Sequence, residues 1–258
     1  MRIVSWNIEN VRPHLEALPR LAQELGVPDA LCLQEVRLKP GEEALLRVPG
    51  YSCHVSLCND PRNVPRRAYG VATLLRETLG PSAAQVPSWD REGRVLVSAI
   101  EGLSVVNLYA VNGTSKPYFD PATGAADGDR HLYKRRLQDR LFELAEGLRA
   151  MGGVVVAGDF NVSRSRIDVH PRLRTEEPHA LARAQLNAHF ARSGFVDAFR
   201  HLHPDARAYT WFARKRTLDA ARVDYIAISP DLLPRLRAAE VLPRRPESDH
   251  APVVLELD

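Results

Sequence analysis

The sequence predicts an α+β fold in which two packed β-sheets are flanked by helices. Three observations carry that expectation. Short β-type runs recur along the whole chain, several come as adjacent pairs, and the helix-patterned stretches stand apart from them. A doubly wound parallel sheet would instead alternate single strands with helices.

Taken in order, Arg2–Ile8 opens the chain as a strand, followed by Ala30–Val36 and Gly70–Arg76. Arg94–Ile100 and Ser104–Tyr109 read as a hairpin, because Glu101-Gly102 between them supplies a tight turn. Gly113–Asp129 is the longest loop-like stretch, and a loop of that length in a compact domain is functional or mobile. Leu137, Leu141, Leu144, Ala145 and Leu148 then repeat at helical spacing until Gly152-Gly153 ends the run. Val154–Ala157 is a short apolar strand, and Leu181 to Phe190 forms a second helix closed near Gly194. Arg222–Ile228 and Pro252–Leu257 are the last strands. No repeat of solenoid period and no Pro-, Gly- or Ser-rich linker divides the chain, so residues 1–258 are expected to form one domain. With the first strand starting at Arg2, no appended N-terminal domain is expected.

Composition sets bounds. With 45% hydrophobic and 26% charged residues the chain is of ordinary globular type, long enough to bury a substantial core. Lys and Arg total 35 against 32 Asp and Glu, a net +3, so bulk charge identifies no partner. Local basic knots do stand out: Arg62/Arg66/Arg67, Lys134/Arg135/Arg136, Arg164/Arg166, Arg172/Arg174, Arg214/Lys215/Arg216 and Arg244/Arg245. Such knots suit a phosphate backbone, although a single one is more often a solvated surface. Three cysteines without a secretory leader argue against a disulfide framework and for a reducing compartment. Cys53, His54 and Cys58 match no common zinc spacing. No window approaches the ~18 apolar residues of a membrane span, and a cytoplasmic protein is expected.

The chemistry gathers at strand ends. Val4-Ser5-Trp6-Asn7, Leu31-Cys32-Leu33-Gln34-Glu35, Val154 through Asn161 and Arg222-Val223-Asp224-Tyr225 all end in polar residues that include an acid or an amide, and Ser248-Asp249-His250 precedes the final strand. Carboxylates at buried strand ends are costly unless they bind a cation or are fully hydrogen-bonded. Oxygen donors without a cysteine or a histidine pair suit a hard ion, Mg²⁺ or Mn²⁺, and disfavour zinc. A hard-metal site with one histidine and basic knots nearby is consistent with phosphoryl chemistry.

The ordered motifs Ser5-Trp6-Asn7, Leu33-Gln34-Glu35-Val36-Arg37, Tyr109-Ala110-Val111-Asn112-Gly113, Gly158-Asp159-Phe160-Asn161, Tyr209-Thr210-Trp211, Arg222-Val223-Asp224-Tyr225 and Ser248-Asp249-His250-Ala251-Pro252 resemble those of the exonuclease III and apurinic endonuclease family. That family belongs to the DNase I-like endonuclease/exonuclease/phosphatase superfamily. Any one motif arises often by chance, whereas the set in this order, spanning residues 5 to 252, is specific. The resemblance implies a four-layer α/β/β/α sandwich with these strand ends at one edge.

It also implies roles. Glu35 is the main metal carboxylate, with Asn7 and Asp249 beside it. Asp159 orients and deprotonates the attacking water, Asn161 holds that water or the phosphate, and a second ion would sit near these two. His250, kept protonated by Asp224, binds a phosphate oxygen in the transition state. Tyr109 serves the leaving oxyanion. Asn112, Trp211 and Arg222 are the candidate substrate contacts, Trp211 by stacking on a base. Trp6 is assigned to the core and Trp89 to no role. His131, His170, His179, His201 and His203 lack metal spacing and are read as surface or structural.

The resulting expectation is a monomeric, Mg²⁺-dependent DNA repair phosphodiesterase acting on duplex DNA at abasic sites, at 3′ ends, or both. Two departures qualify the substrate. Ala221 stands where repair members of the family carry an aromatic wall for the abasic sugar, leaving a wider pocket or handing the wall to Trp211 and Phe212. The Gly113–Asp129 loop is also extended. The alternatives are a phosphodiesterase or phosphatase on RNA ends or small esters, and an inactive nucleic-acid-binding module, which would have no use for a complete set of competent side chains.

Overall fold

The structure, a computed structural model, describes residues 1–58, 69–80, 82–173, 177–214 and 219–258. Arg62, Arg66, Arg67, Arg174, Lys215 and Arg216 of the basic knots lie outside the described residues. In chain order the strands are β1 (Arg2–Asn7), β2 (Ala30–Gln34), β3 (Tyr51–Ser56), β4 (Val71–Arg76), β5 (Ala83–Gln85), β6 (Val95–Ile100), β7 (Leu103–Tyr109), β8 (Pro117–Phe119), β9 (Ala126–Asp129), β10 (Gly153–Asp159), β11 (Val196–Asp197), β12 (Trp211–Phe212), β13 (Ala220–Ala221), β14 (Asp224–Ile228), β15 (Leu236–Val241) and β16 (Val253–Leu257). The α-helices are α1 (Leu18–Glu24), α2 (Arg130–Leu148), α3 (Glu177–Ser193) and α4 (Ala198–Leu202).

Two six-stranded mixed sheets result, ordered β15-β16-β1-β2-β4-β3 and β11-β14-β10-β7-β6-β5. Strand alternation sends successive side chains to opposite faces, and both faces of each sheet are covered. Ile3, Ala30, Cys32, Val105, Val155, Ala157, Ile226, Val253 and Leu255 fill the layer between the sheets. Val4, Trp6, Leu31 and Leu33 point the other way, under Leu18, Leu21 and Leu25. On the far side Leu137, Leu141, Phe142, Leu186 and Phe190 of α2 and α3 cover Val106, Leu108, Val154 and Val156. The four α/β/β/α layers match the expected sandwich, and double burial explains why the central strands read as almost continuous apolar runs. Between the sheets, the Gln34 amide donates to Asn107 Oδ1 at 2.8 Å, and Asn107 Nδ2 donates to the Ala72 carbonyl at 2.9 Å. Buried polar pairs of this kind fix the register of one sheet on the other.

Register positions the site. Asn7 lies opposite Gln34 in the parallel β1–β2 pair, so Glu35 follows at the same edge. Asp159 lies opposite Tyr109 on one side and Asp224 on the other, which sets three functional side chains in a row across the second sheet. Gly158 is required there, since a Cβ at this position would collide with the Leu108 carbonyl. At the Glu101-Gly102 turn both residues take positive φ (45° and 77°), as a tight hairpin demands.

The Gly113–Asp129 stretch, expected as loop, contains the β8–β9 hairpin. Among the described residues no helix is long and apolar enough to cross a membrane. The described knot arginines are largely occupied within the fold. Arg136 pairs with Asp127, Arg214 with Glu9, and Arg245 with Glu24, while Arg164 lies over Phe190 and Arg244 over Phe212. Among the described residues, these knot arginines are engaged within the fold rather than left as free phosphate contacts.

Candidate active site

The strand ends open into a cleft of about 400 Å³, lined by Glu35, Tyr109, Asn112, Asp159, Asn161, Trp211, Asp249 and His250 among others. Glu35 and Asn161 both adopt φ of 52°, a conformation costly for residues with a Cβ. Such strain persists where surrounding contacts over-determine it, which is common at functional sites. For Glu35 those contacts are Tyr109 OH, which donates to Oε1 at 2.7 Å, and Arg37 Nη2, at 2.7 Å from Oε2. Asn7 Nδ2 lies 3.4 Å from the same Oε1 and donates to Asp159 Oδ2 at 3.0 Å, so one amide joins the carboxylates of the two sheets.

Asp159 receives two more donors, Asn161 N on Oδ1 at 2.8 Å and Asn161 Nδ2 on Oδ2 at 3.1 Å. Despite them, burial and then the charge of Asp224 push its pKa up to about 7, against the opposing pull of His250. A carboxyl tuned to that range suits proton abstraction at neutral pH. His250 Nδ1 lies 2.8 Å from Asp224 Oδ2. Burial alone would favour the neutral ring, but Asp224 overcomes it and holds the imidazole protonated, with a pKa of about 10. Burial and the neighbouring Glu35 push the Tyr109 phenol well above its ordinary value, which keeps it a donor.

One donor atom each from Asp159, Asp224 and His250 lie within 4.8 Å of one another. Geometry alone would permit a metal there, yet an imidazolium offers no lone pair. The carboxylates of Glu35, Asp159 and Asp249 line the same cleft, and oxygen donors of that kind suit a hard divalent cation, whereas Asn7 turns its Nδ2 to Glu35 and Asp159 and its Oδ1 to the Glu9 N–H and so ties the two carboxylates together.

Residues 4–250 match the Endonuclease/Exonuclease/phosphatase family. The chain belongs to that family. An exodeoxyribonuclease of Streptococcus pneumoniae serotype 4 is 26% identical over 289 residues, covering all of both chains. Among solved structures, the catalytic domain of Xenopus laevis APE2 superposes with a TM-score of 0.81 at 27% identity, over 100% of this chain and 91% of that one. The 3′ phosphatase NExo from Neisseria, bound to product DNA hairpin, gives 0.80 at 26% identity, over 100% and 99%. The fold is thus the DNase I-like one that the motif order implied.

Within this family member most of the expected site residues converge: Asn7, Glu35, Tyr109, Asn112, Asp159, Asn161, Trp211, Asp224, Asp249 and His250 line the cleft or contact a side chain that does. Arg222 does not. It is 1% exposed, with Nε 2.8 Å from Asp168 and Nη2 2.7 Å from Asp197, and its guanidinium lies over Tyr225. The assignment of Arg222 as a substrate contact is corrected: alternation along Ala221-Arg222-Val223 turns it into the core while its two neighbours line the cleft. Replacing Arg222 by Met is expected to destabilise the fold by about 3–5 kcal/mol, since two buried carboxylates lose their shared partner. Urea denaturation measures this, and an unchanged midpoint would contradict the clamp.

Several contributors had no assignment from sequence. Lys134, 1% exposed, donates to the Asn112 and Asn161 carbonyls at 3.1 and 2.6 Å. Thr210 Oγ1 accepts the Val223 and Asp224 N–H groups at 3.0 Å each, and its carbonyl accepts from Ala251 N, so it joins the two segments of the His250–Asp224 pair. Arg183 of α3 also lines the cleft, as does His179, which the sequence reads as surface or structural. Trp6, in the core as expected, donates through Nε1 to the His250 carbonyl at 3.0 Å. Trp89 packs against the α2 side of the second sheet. Ala221 lies opposite Trp211 in β12–β13 and both line the cleft, so Trp211 supplies the aromatic surface beside that small residue.

Proposed function

We propose that the chain is a Mg²⁺-dependent DNA repair phosphodiesterase that incises at abasic sites, resects 3′ ends, or both. The observation that carries this is one row across the second sheet, in which Asp159 lies between Tyr109 and Asp224 and Asp224 Oδ2 lies 2.8 Å from His250 Nδ1, so that one acid is free to serve as base while the other is paired with the imidazole. Environments that drive neighbouring titratable groups apart assign base and acid. The similar proteins from Streptococcus pneumoniae and Neisseria are an exodeoxyribonuclease and a 3′ phosphatase, which favours DNA over RNA ends or small esters.

Glu35 and Asp249 would hold the divalent ion, with Asn7 orienting the Glu35 and Asp159 carboxylates through Nδ2 and with Asp159 and Asn161 the donors for a second ion. Bound there, the ion offsets negative charge building on the phosphate. Asp159 orients the attacking water and takes its proton, and Asn161 fixes the carboxylate from two sides. The His250 imidazolium donates to a non-bridging oxygen as charge accumulates on it. Tyr109, freed from Glu35 as substrate enters, donates to the departing oxygen. Asn112 and Trp211 contact the sugar-phosphate and base. The substrate is duplex DNA, and the enzyme works as a monomeric single domain in the cytoplasm.

With millimolar Mg²⁺ replaced by excess EDTA, incision of an abasic duplex and 3′ resection are both expected to fall by at least about 10³-fold and to return on adding Mg²⁺. Cleavage of RNA ends or a small ester, with neither DNA activity, would sink the repair reading.

A further inference from the structure

Behind Tyr109 lies a buried charge network that the proposed chemistry does not use. Glu92, 1% exposed, binds two guanidiniums: Arg94 Nε at 2.6 Å and Arg130 Nη2 at 2.7 Å. Arg94 is 3% exposed. Burial alone would raise the pKa of Glu92, but the two arginines hold it below its ordinary value, so all three groups are charged. Asp90 builds the turn by accepting the backbone N–H groups of Glu92, Arg94 and Val95 at 2.6–3.0 Å. Gly93 completes it at φ 66°, where a Cβ would collide with the Leu57–Cys58 backbone.

Beyond Glu92, the contacts of Arg94 converge on one tyrosine and its neighbour. Its carbonyl accepts Tyr109 N–H at 2.7 Å, and its Nη1 donates to the Tyr109 carbonyl at 3.1 Å. Its guanidinium carbon sits 5.0 Å from the Tyr109 ring centre and 5.4 Å from that of Tyr69, and the two rings are 5.6 Å apart. Tyr109 is therefore held at its N–H by the Arg94 carbonyl, at its carbonyl by the Arg94 guanidinium, and at its ring by the same cation, with its phenol aimed at Glu35. At the other end Arg130 begins α2 where the β8–β9 hairpin ends, and lies over the rings of Tyr133 and Tyr118, which stack at 4.1 Å.

Taking two guanidiniums and a carboxylate out of water is costly, and apolar residues of similar volume are often at least as stabilising. Stability therefore does not account for the network, whereas orientation does. We propose that Arg94 is a positioning residue for Tyr109, held in place by Glu92 and, through it, by Arg130 at the end of the β8–β9 hairpin. This rests on the proposed role of Tyr109 at the leaving oxygen.

A double-mutant cycle on the full chain with Mg²⁺ and an abasic duplex tests it, with folding checked by urea denaturation. Arg94→Met is expected to lower kcat by about 30-fold with KM within about threefold, and Arg94→Lys to recover part of that loss. In a Tyr109→Phe background the same Arg94→Met change is expected to cost no more than about threefold, because its effect runs through the phenol already removed. Equal losses in both backgrounds, or a loss confined to KM, would overturn the positioning role. If Arg94→Met does not fold, Arg130→Gln, at the partly accessible end, is put through the same cycle: a loss that disappears in the Tyr109→Phe background supports the positioning role, and an equal loss in both overturns it. Full activity of Tyr109→Phe alone would instead overturn the role of the tyrosine, a failure distinct from an inert wild-type enzyme.

Discussion

Asparagine in place of Asp159 is expected to slow cleavage by about 10²–10⁴-fold, the range that loss of a positioned general base produces. A carboxylate only accepts, and here it accepts three hydrogen bonds, from Asn7 Nδ2, Asn161 Nδ2 and Asn161 N. An amide retains one accepting oxygen, so one of those donors faces an NH₂ group and the strained Asn161 loses part of what holds it. Both consequences act on the water-activating step, whereas Asn112 and Trp211, at other parts of the cleft, keep their places. Single-turnover rates together with fluorescence anisotropy separate the two effects. The rate falls while affinity for an abasic duplex changes by less than about threefold. Wild-type cleavage should also rise with pH on the acid side, since the base acts only when deprotonated and burial and Asp224 raise its pKa, and that limb should vanish in the variant. Normal cutting by Asp159→Asn would remove the base assignment.

Much of this site is legible in the sequence because each catalytic motif occupies a strand end, and strand ends are where apolar runs stop abruptly at polar residues. Asn7, Glu35, Asp159 and Asp224 fall at one edge once the strands are paired, and the registers of β1 with β2 and of β10 with β7 and β14 supply that pairing. Side-chain direction is less accessible. Arg222 sits inside a catalytic motif, yet period-two alternation turns it from the cleft toward Asp168 and Asp197, and those two acids lie in unrelated segments. Lys134 reads as one member of a surface basic knot, because nothing in Lys134-Arg135-Arg136 distinguishes the residue that α2 turns inward. Edge elements escape for another reason. β5 is three exposed residues and β3 is half-buried, so neither carries a strong apolar pattern. The β8–β9 hairpin lies in a stretch rich in Gly, Pro and Asp, where turn chemistry masks two short strands.

Asp224→Asn is the second large effect expected, and its signature is in pH rather than in rate alone. In the wild type, burial disfavours the charged ring, but the Asp224 carboxylate at 2.8 Å holds His250 protonated up to about pH 10. Without that charge the ring loses its main support and its pKa falls back toward the ordinary value near 6.5, so it gives up its proton within the working range. The transition state then loses a charged donor, a loss worth about 10²–10³-fold by analogy with removal of one oxyanion donor. The deficit is expected to grow as pH rises from about 6 to about 8, where a ring of ordinary pKa near 6.5 loses its last proton. Stability follows the same linkage. A histidine whose folded pKa exceeds its unfolded value of about 6.5 contributes stability that is fully present below that pH and fades as pH rises toward about 10. Urea midpoints of the wild type should therefore fall between pH 6.5 and 10 through this pair, and the variant should lack that component. A deficit independent of pH, with the wild-type slope in stability retained, would mean that Asp224 acts only as a structural hydrogen-bond partner. The imidazolium would then have to be held by some other group.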